Sequence, residues 1–264
     1  MISDIFNLIL INPILNILVF LYNLSGNLGI AIILLTLIIK TVLLPIMQPA
    51  LKSMKKQRTL KPELDAIKDK YPNDKKKQAE AQMELFKKHG INPASGCLTQ
   101  VVMIIVLIAL FNVISKFSSY TDITEINSHL YFESLKFSAD YQLAKTFLYL
   151  DLTKPDPYFI VAILSGVLQF ISSKMMMPAV EKAEKQAEKT KTKTDDMAYM
   201  MQQQSLYMMP IMNVFIGTYL ASGIMIYIVT GAAFTIVQNY FAFGLGGLKP
   251  FIKKLKFGKT TSND

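Results

Sequence analysis

From Gly29 to Met47 the chain runs apolar for long enough to cross a bilayer, and a single charged residue, Lys40, interrupts it. An isolated ammonium near the middle of a spanning helix costs on the order of 3 kcal/mol on insertion scales, so a chain that keeps one there gives it water or a partner. Two readings are open. Lys40 marks a polar site within the membrane, or it snorkels to the cytoplasmic headgroups on its long stem. Counting about 1.5 Å per residue from Asn27 sets its Cα roughly 20 Å into a ~30 Å hydrocarbon core, which makes snorkelling a stretch.

The rest of the chain has the same character. Hydrophobic residues make up 52% of it, and they come in blocks rather than along one helical face, the pattern of a polytopic membrane protein. Five spans are expected, at 26–48, 93–115, 157–178, 206–221 and 223–243, the last two joined by a tight turn at Ser222-Gly223. Residues 1–25 are apolar too, but Asn12 and Pro13 divide them into segments too short to span, so they are expected to form an interfacial helix. With no Lys or Arg before Lys40, a cleaved signal or transit peptide is not expected.

Loop charge orients these spans. Residues 49–92 hold twelve Lys/Arg against six acids and the tail 244–264 five Lys against one Asp, whereas 116–156 hold four Lys against six acids. Basic loops stay cytoplasmic. The N-terminus and 116–156 are therefore expected outside, with 49–92, 179–205 and the C-terminus inside.

Within 49–92, Leu60, Leu64, Ile67 and Tyr71 recur at helical spacing, then Ala79, Met83 and Phe86, with Pro72-Asn73-Asp74 as a turn between them. This predicts a two-helix cytoplasmic hairpin over 49–92, whose first arm breaks near Arg58 to Lys61 and whose basic arms suit lipid headgroups or ribosomal RNA. A charged connector that merely sets topology is the plainer alternative.

Polar residues within the spans fall at a common depth. Gln100 lies just inside the second span; Ser165, Gln169, Ser172 and Ser173 share a face of the third; Asn213 and Thr218 lie on the fourth; Thr235, Gln238 and Asn239 form a stripe on the fifth. They read either as the lining of a groove or as interhelical hydrogen bonds worth about 0.6 kcal/mol each. The methionines around 175–177, 197–201 and 208–212 read as a pliable apolar surface or as packing filler. The single cysteine, Cys97, leaves no internal disulfide or thiolate cage, and His89 and His129 fall on opposite sides of the membrane. Without HExxH, Walker A, GxGxxG or GxSxG, neither a metal, a nucleotide or other cofactor nor an enzymatic activity is expected.

Several motifs resemble one family. Gly26-Asn27-Leu28-Gly29, Thr36-Leu37-Ile38-Ile39-Lys40 and Pro45 are similar to the first core span of the YidC/Oxa/Alb membrane protein insertases. Leu60-Lys61-Pro62-Glu63-Leu64, His89-Gly90-Ile91-Asn92-Pro93 and Gly96-Cys97-Leu98 resemble its hairpin and second span, and Pro155-Asp156-Pro157-Tyr158 its third. The resemblance implies an all-α membrane protein in which five helices enclose a polar groove, open to the cytoplasm and to lipid and sealed outside. Lys40 stands where the family has an arginine facing that groove, keeping the charge but not the planar fork. Thr36, Gln100, Ser165, Gln169, Ser172, Asn213 and Gln238 are the further lining residues expected. Thr99 where a proline is common, and the lack of tryptophan, are further departures. The implied function is insertion and folding of nascent membrane proteins in a bacterial plasma membrane, with lipids as partners and the ribosome and a Sec translocon as candidate ones. A small transporter or channel using Lys40 as an ion ligand is the rival, and no internal repeat of the kind such folds carry is visible.

Overall fold

Asn27 decides how the first two helices meet. Its side chain accepts hydrogen bonds from the backbone N–H of Gly29 at 2.9 Å and of Ile30 at 3.3 Å, capping a new helix. The residue before it, Gly26, takes the left-handed conformation (φ +66°) that ends the old one. The computed structural model describes residues 5–72, 74–92, 94–119, 123–138, 141–176 and 204–249. Helix α1 covers Asn12–Ser25, after a wider turn over Asn7–Ile11, and α2 covers Leu28–Thr59.

One expected division does not occur. The N-terminal helix runs without a break through Pro13, with the wider turn over Asn7–Ile11 directly before it, where the proline ring is accommodated. By length and composition the stretch Asn7–Ser25 is then one of three helices able to cross a membrane, with Leu28–Thr59 and Ser222–Phe243, among the described residues. The first-span helix α2 continues through Pro45 and Pro49 to Thr59, and the break expected near Arg58 to Lys61 falls at Leu60. Each proline removes only one backbone hydrogen bond, and neighbouring turns hold the helix together.

Leu60 alone separates α2 from α3 (Lys61–Lys70), and Asp74 caps α4 (Lys75–Lys88) by accepting from the Lys77 N–H at 3.0 Å. That bond holds the Asp74 carboxyl below its usual range. The two arms share a small core of Leu60, Leu85 and Ile91 with Leu64, Ile67 and Phe86 packed on it. Leu85 takes the seam position, while Met83 is exposed.

Helix α5 spans Ala94–Ser119 and α6 Ile123–Ser128; a two-residue ladder pairs β1 (Thr146–Phe147) antiparallel to β2 (Leu150–Asp151), with Thr146 opposite Asp151. Asp156 starts α7 (Ile160–Met176) by accepting from the N–H of Tyr158 at 3.0 Å and of Val161 at 2.9 Å. Helix α8 covers Met209–Gly217 and α9 Ser222–Phe243. The turn between them lies at 218–221 rather than at Ser222-Gly223, which open α9. It is tied to the preceding loop, because Ser222 donates through N and Oγ to the Lys154 carbonyl, each at 2.8 Å, and Gly223 N donates to Leu152 O at 3.0 Å.

The loop 123–156 is bound to α1 by buried polar groups. Asn16 accepts from the Tyr131 N–H at 2.7 Å and donates to the His129 carbonyl at 3.0 Å, and the Tyr22 hydroxyl accepts from the Ala144 N–H at 2.9 Å. Around these bonds lies the main core: Leu15, Leu18 and Tyr22 of α1, Ile32 and Leu35 of α2, Leu110 and Ile114 of α5, Ile126, Leu152, and Met225 of α9. It occupies the end of the bundle nearest that loop.

Candidate functional site

Past this core the character of the buried residues changes. On α2 the buried positions are apolar or glycine from Leu28 to Leu35, then become Thr36 and Lys40, with Ala50 further on. On α9 they run from Ser222 and Gly223 through Ile224 to Tyr227, then Gly231 and Ala232, then Gln238 and Asn239; on α7 they pass from Val161 and Ala162 to Ser165, Gly166 and Ser172, then Met175. Each of the three helices thus carries buried polar side chains beyond the apolar core, starting at Thr36 on α2, Ser165 on α7 and Gln238 on α9, while Asn16, Asp156 and Ser222 are buried polar residues at the loop end.

Lys40 lies at the centre of the polar half with only 8% of its surface exposed. Its Nζ lies 3.6 Å from the Met103 sulfur on α5, a weak acceptor, and no carboxylate pairs with it among the described residues. On the opposite side stands Gly231 of α9, where an added Cβ would come within 3.2 Å of Lys40 Cε. Glycine is what lets the ammonium stem lie across α9. One turn before Lys40, the Thr36 hydroxyl is fully buried and donates to the Ile32 carbonyl at 2.6 Å, so it places a polar atom beside the lysine without pairing it.

The other expected residues divide. Gln238 lies two turns beyond Gly231 on the same face of α9, is buried, and has no hydrogen-bond partner for either amide atom among the described residues. Ser172 accepts from Asn239 Nδ2 at 3.0 Å, an interhelical bond that ties α7 to α9. Ser165 is fully buried and donates to the Ala162 carbonyl of its own helix at 2.7 Å. Gln169 is half-buried on that face of α7, and Asn213 half-buried on α8. Thr235 and Thr218 bond carbonyls of their own helices. The side chain of Gln100 lies outside the described residues.

Met103 and Gly231 are the contacts that the sequence reading passed over. A glycine four residues before Thr235 and seven before Gln238 extends their stripe, and that spacing is the signal that would have found it. Met103 carries no comparable signal, being one apolar residue in an apolar span.

The family model described as 60Kd inner membrane protein matches residues 20–244. A "Membrane protein insertase YidC" from Fusobacterium nucleatum is 32% identical over 216 residues, covering 82% of this chain and 86% of that protein. One of the same name from Geobacter sulfurreducens is 31% identical over 88% of this chain, which spans only 36% of it. Among solved structures, "Active YidC insertase crystal structure with the first transmembrane domain resolved" superposes with a TM-score of 0.56 at 24% identity, over 84% of this chain and 43% of that one.

Proposed function

We infer, from the premise that this chain belongs to the 60 kDa inner membrane protein family, that it is a bacterial membrane protein insertase of the YidC type. Its partners are nascent membrane proteins. The observation that carries the mechanism is the group of buried polar side chains Thr36, Lys40, Ser172, Gln238 and Asn239, contributed by three helices beyond the apolar core. A segment entering from the hairpin end meets polar side chains and a cation over half the bundle, so its polar end crosses a shortened apolar barrier. The buried Gln238 amide offers both a donor and an acceptor to an incoming peptide group, and Lys40 offers a charge without a carboxylate partner among the described residues. The apolar part of the segment then partitions sideways into lipid. No covalent step is required.

The test is reconstitution. Purified protein in liposomes, given a stalled single-span substrate with a short acidic leading segment, is expected to protect that span from added protease. Ion flux without protection would favour a transporter and overturn the reading.

The proposed orientation sets the N-terminus and the loop 123–156 outside and the hairpin and C-terminus inside, supported by the loop charge. Helix α1 then lies at the outer interface, supported by its bonds to loop residues His129, Tyr131 and Ala144. In a Cys97→Ser background, Leu148→Cys is expected to label with an impermeant maleimide from outside intact cells and Lys76→Cys only after permeabilisation, both native residues being exposed. Labelling of both from the same side would contradict it. The basic hairpin, whose core is three buried residues, is proposed to be the element that recruits the ribosome or a Sec translocon.

A further inference from the structure

Where α2 ends and α9 ends, an open cavity of about 830 Å³ lies at the surface. Three cations from parts of the chain far apart in sequence line it, Lys55 and Arg58 from α2 and Lys249 from beyond α9, and no acidic residue does among the described residues. None of the three pairs with a carboxylate among the described residues. The Arg58 guanidinium lies over the Phe243 ring, 6.0 Å from its centroid, so its fork is held in orientation rather than left to sweep through solvent. Tyr240 and Phe241 complete the wall, and Phe241 is 82% exposed at the very end of a membrane-length helix.

We propose that this cavity binds the phosphate headgroup of an anionic glycerophospholipid from the leaflet on the hairpin side, with Arg58, Lys55 and Lys249 as its ligands. A phosphodiester has the negative charge and the paired oxygens that a guanidinium fork matches. Exposed aromatic rings at the end of a span suit the headgroup level, where one edge is wet and the other meets acyl chains. That combination favours a lipid over a free anion, which has no use for the rings, and over RNA, which would need the cations to face away from the bilayer. The proposal rests on the membrane placement of the family reading, and not on insertion itself.

Native mass spectrometry of the detergent-solubilised full chain tests it, with phosphatidylglycerol and phosphatidylcholine of identical acyl chains offered at equal concentration. The wild type is expected to retain one phosphatidylglycerol in preference to phosphatidylcholine. Lys55→Gln with Arg58→Gln is expected to reduce that preference by about fivefold for each charge removed, and Arg58→Lys to reduce it less than Arg58→Gln. The double substitution Lys76→Gln with Lys87→Gln, which removes equal charge from α4, is expected to leave it unchanged. Equal loss in the α4 double variant would show a diffuse surface charge and overturn the proposal, as would equal retention of the two lipids. Inorganic phosphate competing away phosphatidylglycerol at the same concentration would reassign the site to a free anion. An RNA oligonucleotide whose binding falls in the Lys55/Arg58 variant, with lipid preference intact, would reassign it to nucleic acid. Selective lipid retention by protein that fails to insert substrate in liposomes would support this site while overturning the insertase reading.

Discussion

Replacing Lys40 by Glu is expected to cause the largest loss of insertion of any single substitution in the polar half. The ammonium is buried and its nearest acceptor is a thioether, so its attraction for a substrate carboxylate is not cancelled by a fixed partner among the described residues. At an effective dielectric near 20, two unit charges about 4 Å apart interact by roughly 4 kcal/mol, and reversing the sign turns that attraction into repulsion. Lys40→Arg is expected to retain activity, Lys40→Met to lower it about tenfold or more for substrates with acidic leading segments, and Lys40→Glu to lower it further; neutral leading segments are expected to be less affected. Lys40→Met nearly conserves length and removes an unpaired buried charge, so it is expected to raise thermal stability while lowering activity. Loss of stability and activity together would mark Lys40 as a structural residue.

Gly166→Leu is expected to destabilise the packing of α7 against α8 strongly. A Cβ at that position would fall well inside contact distance of Val214 Cγ2 and 3.1 Å from the Pro210 carbonyl oxygen. A side chain can turn away, but a backbone carbonyl in the first turn of α8 cannot, so the added atoms push α7 and α8 apart. Overpacking of this kind costs about 1–3 kcal/mol. Gly231→Ala provides the contrast, because the atoms it would meet are the flexible end of Lys40. Thermal unfolding in detergent is expected to show a clear fall for Gly166→Leu, partial rescue by Val214→Ala, and little change for Gly231→Ala. Equal shifts at the two glycines would mean that the α7–α8 contact is not as close as described.

What the sequence could and could not reveal follows from how each feature is encoded. Lys40 is visible because one charge in an apolar run has no cheap explanation. The serine and glutamine stripes are visible by period, but period cannot distinguish Ser172, bound to Asn239 of another helix, from Gln238, whose amide is unsatisfied among the described residues. Pro13 misled because proline penalises a helix through one missing N–H and one steric contact, and both are tolerable beside a wider turn. The order of the loop 123–156 was illegible, since it comes from Asn16 and Tyr22 reaching backbone groups more than a hundred residues away. Met103 and Gly231 define the walls around Lys40 by being pliable and by being small, and neither property stands out in an apolar span.

Site-specific photocrosslinking tests the central claim, that a nascent segment occupies the polar half of the bundle. A photoreactive residue at Gln238 is expected to crosslink a stalled nascent span in membranes, and a probe at Ile114 in the apolar core of the loop end is expected not to. The Gln238 crosslink is expected to weaken in Lys40→Glu when the leading segment is acidic and to persist when it is neutral. Crosslinks from Ile114 as strong as those from Gln238, or none from Gln238 at any chain length, would contradict the account.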